Sequence, residues 1–186
     1  MSAPDGPLLI LGVGNPLLGD DGVGVHVVDE IRRRAAAGTV ELPARTEILD
    51  GGTRGIGLLP DVAGARAVVM VDAARLGAEP GTIAVIPGET IGTGATRGAT
   101  AVPASTAGVA ELVDVARFTG TLPAATSLVG IQPAAIAVGI ELSGPVGAVL
   151  DDAIRATLRE ARELDARAAS AAPASPDRRE KVGALA

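Results

Sequence analysis

The chain has 186 residues, enough for one domain with a sizeable core, and its net charge of -6 leaves no electrostatic footprint for nucleic acid. Hydrophobic residues make up 47%, nearly all aliphatic, with one Phe and no Trp or Tyr; this suits a sheet covered on both faces and argues against base stacking. The absence of Cys excludes disulfides, thiolate metal sites and a thiol nucleophile, and no apolar run reaches the roughly 18 residues that span a bilayer.

The N-terminus carries neither a basic segment nor an apolar run of signal-peptide length, so a cytoplasmic protein with no membrane or nucleic-acid partner is expected. Residues 1–6 read as a leader. An apolar run from 7 or 8 to 13 predicts a buried strand that stops at glycines. Val23, Val27, Val28 and Ile31 recur at helical spacing and predict a helix over 22–36, with Asp20 or Asp21 as its cap. A second strand is expected over 45–49, a short helix or turn over 55–62, a third strand over 67–71 and a fourth over 82–86. Residues 88–103 are rich in Gly, Thr and Ala without periodicity, the pattern of a long functional or disordered loop. A helix over 106–117, a strand over 126–131 and a helix over 145–169 follow, the last with Pro145 in its first turn. The domain is expected over 1–169, with 170–186 as a disordered tail. Strands alternating with helices predict a three-layer α/β/α sandwich around a mostly parallel, twisted sheet of about five strands.

Acids follow three of the expected strands: Asp20 and Asp21 after the first, Asp50 after the second, Asp72 after the third. In a parallel sheet these lie at one edge, where ligands of open α/β sheets bind. Clustered carboxylates repel one another, and a cation relieves the repulsion. A nucleotide cofactor is not expected. Leu17 stands where the dinucleotide fingerprint needs its third glycine, and two acids occupy the helix N-terminus where a pyrophosphate would sit. His26, the only histidine, lies five residues beyond Asp21, about 140° around a helix, and so off the Asp21 face. With His26 misplaced and no Gly-x-Ser-x-Gly elbow, no Ser-His-Asp set can be assembled, and the attacking group stays unassigned.

Several motifs fall in a specific order. They are Gly12-Val13-Gly14-Asn15, Asp20-Asp21-Gly22-Val23-Gly24, Asp50-Gly51-Gly52-Thr53, Val71-Asp72-Ala73, Arg117-Phe118-Thr119-Gly120, Leu128 to Pro133 and Gly139-Ile140-Glu141-Leu142-Ser143. Together they resemble the hydrogenase maturation endopeptidases over most of the chain. The resemblance implies a five-stranded sheet flanked by helices. It also implies removal of a C-terminal extension from the large-subunit precursor of a nickel-iron hydrogenase once nickel is in place. The family's metal-contacting positions fall on Asp21 and Asp72, with Asp50 nearby, and the metal would be the precursor's nickel or another divalent ion. The family's third position, a histidine, is taken here by Ser105. A hydroxyl is a far poorer nickel ligand than imidazole. Two readings follow from this substitution: an active endopeptidase, or a non-catalytic precursor-binding, chaperone-like member of the same fold.

Overall fold

A computed structural model describes residues 5–92, 102–103 and 108–171. The first strand, β1 (Leu8–Val13), is buried along its whole length. Leu8 and Ile10 point to one side of the sheet, and Leu9, Leu11 and Val13 to the other. This is why β1 reads as an unbroken apolar run: a strand whose side chains alternate between two covered faces needs apolar residues at every position.

A 3-10 turn at Asp20–Gly22 leads into α1 (Val23–Ala36), which buries the expected stripe Val23, Val27, Val28 and Ile31. Glycines let this helix lie very close to the sheet. A Cβ on Gly24 would stand 2.2 Å from the Val71 carbonyl oxygen and 2.3 Å from that of Val13. After α1 come β2 (Thr46–Gly52), a 3-10 turn at Gly55–Leu58 and α2 (Leu59–Ala63). Next are β3 (Ala67–Arg75), β4 (Ile83–Pro87) and the short β5 (Val102–Pro103). The chain closes with α3 (Val109–Phe118), β6 (Ala125–Ile131), α4 (Gly144–Ala148) and α5 (Leu150–Ala171).

The main sheet has the order β2-β1-β3-β6-β4. Its first four strands are parallel, β4 is antiparallel to β6, and β5 pairs antiparallel with the end of β3. Helices α1 and α5 cover one face, while α2 and α3 cover the other, each through its own apolar cluster. The expected three-layer sandwich is therefore the architecture observed. The strand order reverses between β1 and β3, and the crevice at such a switch point is the ligand site of open α/β sheets.

Some element boundaries depart from expectation. Strand β3 runs on to Arg75, because Asp72 and Ala73 pair with Gly130 and Ile131 and the next two residues pair with β5. Asp72 thus lies within the strand rather than after it. Strand β2 likewise extends through Asp50, which pairs with Gly12. Helix α3 starts at Val109 instead of 106, since Gly108 at φ 75° is left-handed and cannot belong to a right-handed helix. The single C-terminal helix is two, broken at Val149, and α5 takes in Ser170 and Ala171, which were expected in the tail. The rest of the expected tail and Ser105 lie outside the described residues.

Candidate functional site

The site is built where β1 ends. Gly14 has φ 127°, and its amide donates to the Gly52 carbonyl at 3.1 Å, tying the end of β1 to the end of β2. Asn15 then shapes a tight turn. Its Oδ1 accepts from the Leu17 amide at 3.0 Å, and its carbonyl accepts from Leu18 at 2.9 Å. That turn aims the Asn15 amide at Asp21, whose Oδ2 accepts it at 2.9 Å. The other carboxylate oxygen, Asp21 Oδ1, is buried with no hydrogen-bond partner. Burial pushes the Asp21 carboxyl above the ordinary aspartate range, with the Asn15 amide offsetting only part of the effect.

Asp72 comes to the same place from β3. Its side chain is fully buried, and its Oδ1 accepts the Ala73 amide at 2.9 Å. Gly14 is the junction of the two acids. A Cβ there would overlap the Asp21 carbonyl oxygen at 1.8 Å and would stand 3.5 Å from Asp72 Oδ1. The two aspartates singled out from the sequence are therefore gathered around one glycine at the switch point.

The other sequence candidates fall differently. Asp50 sits at the same sheet edge, but it is exposed and its Oδ1 accepts the Gly52 amide at 2.9 Å, closing its own turn. His26 lies on the first turns of α1, and its Nε2 is hydrogen-bonded to neither aspartate. Neither Asp20 nor Asp21 caps α1, contrary to expectation. A 3-10 turn carries both, and each carboxylate is turned elsewhere: Asp21 to Asn15, Asp20 to a distant loop.

Asp20, expected as a cap or as one of the clustered acids, has a role that its sequence position did not suggest. It is 1% exposed and accepts four hydrogen bonds from the segment after β6. Burial alone would raise its pKa, but the bonds from Ser143, Ala134 and Ala135 outweigh it and hold the carboxyl below the ordinary range. The only hint in the sequence was that Ser143 ends a motif. Two further motif residues have structural work. Arg117 donates to the carbonyls of Gly88 and Ile91, both at 2.9 Å, pinning the start of the long loop to α3. Gln132 accepts the Leu76 amide at 2.7 Å and holds the chain as it leaves β3.

Chemically, a buried carboxylate oxygen without a donor invites a proton or a cation. Carboxylate oxygens suit divalent ions, but a resident metal needs more ligands than two. Among the described residues no group of three or more His, Cys, Asp and Glu could hold a metal ion.

Fold and site together define a doubly wound α/β protein with two buried acids at its β1–β3 crevice. The hydrogenase maturation protease family matches this chain over residues 25–160, and the chain belongs to that family. The hydrogenase 2 maturation protease of Escherichia coli is 34% identical over 158 residues, covering 84% of this chain and 91% of the relative. The hydrogenase expression/formation protein HupD of Rhodobacter capsulatus is 34% identical over 156 residues, 83% of this chain and 71% of its own length. Among solved structures, the hydrogenase maturating endopeptidase HybD from E. coli superposes with a TM-score of 0.66 at 31% identity, covering 84% of this chain and 93% of that one. The chain is thus a protease by family, as the motifs implied.

Proposed function

We propose that this protein is an endopeptidase that removes the C-terminal extension of a nickel-iron hydrogenase large-subunit precursor after nickel insertion. Family membership supports the reaction and the kind of partner. The observation that carries the mechanism is the Asp21–Asp72 pair at Gly14, with one Asp21 oxygen buried and unpartnered. Two carboxylates are too few for a metal of the protein's own, but they suit a nickel ion that the precursor already ligates. In this reading nickel is part of the substrate. Asp21 and Asp72 contact it, and their negative charge, costly when buried alone, is offset only when a loaded precursor is seated. That makes the acids a check on nickel insertion before the extension is cut. Another divalent ion on the precursor would meet the same oxygens. No helix among the described residues is long and apolar enough to cross a membrane, and we assign the work to the cytoplasm.

The test is the mass of purified precursor before and after incubation with this protein, with and without nickel. Loss of the extension only from the nickel-loaded form is expected. Cleavage of both forms alike would remove the role given to the acids.

A second reading is carried by Ser105, which the motif resemblance sets in the place of a histidine. On that reading the chain binds precursor without cutting it. Co-purification of an uncut, nickel-loaded precursor with the wild-type protein would favour it. Ser105→His is expected to raise nickel affinity at least tenfold by calorimetric titration, since an imidazole turns an oxygen-only set into a mixed one.

A further inference from the structure

The segment between β6 and α4 is held in an unusual way. Of its large apolar side chains, Leu142 packs on the core, but Ile136, Val138 and Ile140 are 37%, 92% and 71% exposed. Apolar burial therefore does little to fix it. Its hold is polar, and Asp20 grips both of its ends. At one end, Asp20 Oδ2 accepts the amides of Ala134 at 2.9 Å and Ala135 at 3.3 Å. At the other, Oδ1 accepts the Ser143 amide at 2.7 Å, and Oδ2 accepts the Ser143 hydroxyl at 2.8 Å. Bonds to an ionised acceptor are the strong ones.

Between these ends the segment pairs with the turn that precedes Asp20. The Gly19 amide donates to the Gly139 carbonyl at 2.8 Å, and the Gly139 amide donates to the Leu17 carbonyl at 3.0 Å. Leu17, itself 64% exposed, thus joins Val138 and Ile140 in one apolar wall. At the root of the wall lies a cleft of about 450 Å³, lined among others by Arg75, Gln132, Pro133 and Ala134. The Leu17 amide donates to Asn15 Oδ1 at 3.0 Å, and the Asn15 amide donates to Asp21 Oδ2 at 2.9 Å. The wall therefore stands on the same hydrogen-bonded turn as the Asp21 site proposed above to meet the precursor.

We propose that Asp20 is a positioning residue that clamps the 134–143 loop to the Asp21 turn, and that the clamped wall of Leu17, Val138 and Ile140 docks apolar side chains of the hydrogenase precursor. The proposal rests on the processing reading above. Asp20 touches no reacting atom; it acts through the loop. It also explains why two adjacent acids have opposite electrostatic surroundings: one is saturated with donors and structural, the other is starved of them and meets the substrate.

The experiment uses the full-length protein and purified nickel-loaded precursor, measuring Kd by calorimetry, kcat and KM by mass-monitored cleavage, and amide exchange. A Leu17→Ser/Val138→Ser variant alters only exposed positions. It is expected to raise Kd and KM at least fivefold with kcat within twofold and Tm unchanged; a wild-type Kd would overturn the docking surface. Asp20→Asn replaces one acceptor oxygen with a donor facing donors. It is expected to speed exchange at Ala134, Ala135 and Ser143 while sheet amides stay protected, and to raise Kd about tenfold. Freed amides with a wild-type Kd would overturn the positioning role, as would amides that stay protected. Ser143→Ala removes a single bond and serves if the Asn variant does not fold: a twofold to threefold rise in Kd is expected, and none at all counts against the clamp. A wild-type protein that binds precursor tightly and leaves it uncut would sink the protease reading while the docking arm stands. No binding by the wild type would sink both.

Discussion

Asp21 holds the most conflicted charge in the site. Its pKa lies above the ordinary value of 3.8 because burial disfavours the ionised form. As pH rises through the ordinary aspartate value, the unfolded chain releases this proton before the folded one does. Asp21 therefore lowers stability from that point upward, and the loss is complete above its raised folded value. Asp21→Asn keeps an oxygen for the Asn15 amide and has no proton to release. Its Tm is expected to exceed the wild type's at pH 7, the advantage shrinking as pH falls from the raised folded value toward the ordinary aspartate value and levelling off below it; thermal scans across pH check this. The same variant, and Asp72→Ala, are expected to lose precursor processing by more than a hundredfold while remaining folded. Gly24 is the opposite kind of residue, with a role that is entirely steric. A methyl group there would meet two backbone carbonyls at 2.2 and 2.3 Å, atoms that cannot swing away. Gly24→Ala is expected to cost about 3 kcal/mol or more in denaturant unfolding, at or beyond the upper end for overpacking.

At the scale of elements, the sheet is locked to its surroundings by a few polar ties. Arg66, at the turn into β3, is largely buried, and its guanidinium donates to the Gly6 and Ala44 carbonyls, both at 2.8 Å, and to Asp165 on α5 at 2.6 Å. It joins the chain before β1, the loop before β2 and the last helix. Arg66→Ala is expected to cost about 1–3 kcal/mol, the usual worth of hydrogen bonds to a charged group, measured by urea titration. The pair of Glu30 with Arg33 and Arg34 on α1 is different. Those arginines hold the Glu30 carboxyl down to about 2, yet the cluster lies on the solvent side of α1 with Arg33 exposed, so screening erases most of the benefit. Glu30→Gln is expected to shift Tm by no more than a degree or two.

For the whole molecule, acid behaviour follows from opposed contributions. Asp20 and Glu30 have lowered pKa values, so their contribution is present above the ordinary carboxylate range and is lost as pH falls through their lowered folded values. Asp21 works the other way over the ordinary range. Asp20 is buried and holds a loop, whereas Glu30 is screened. The first acid-induced change is therefore expected at the 134–143 segment, with the sheet intact. Amide exchange at decreasing pH should show protection lost at Ala134, Ala135 and Ser143 before any β1 or β3 amide; simultaneous loss would mean that the loop is held by the core instead.

The layers of this protein are legible in its residue pattern. Aliphatic runs that stop at glycines suit strands in a covered sheet, and a helical stripe of Val and Ile suits a helix lying on it; Asp21 and Asp72 stood out as acids near the ends of those runs, though Asp72 lies inside β3. The different surroundings of the two adjacent acids come from long-range contacts. Asp20 and Asp21 are identical in type and adjacent in sequence. What separates them is a set of donors more than a hundred residues away at Ala134, Ala135 and Ser143, brought in by the return of the chain after β6. Local pattern cannot report such a partner, because a hydrogen bond depends on a direction in space that a period of 2 or 3.6 does not encode. The same holds for β4, whose apolar run has no mark of its antiparallel pairing with β6: strand direction is set by the path of the connecting chain.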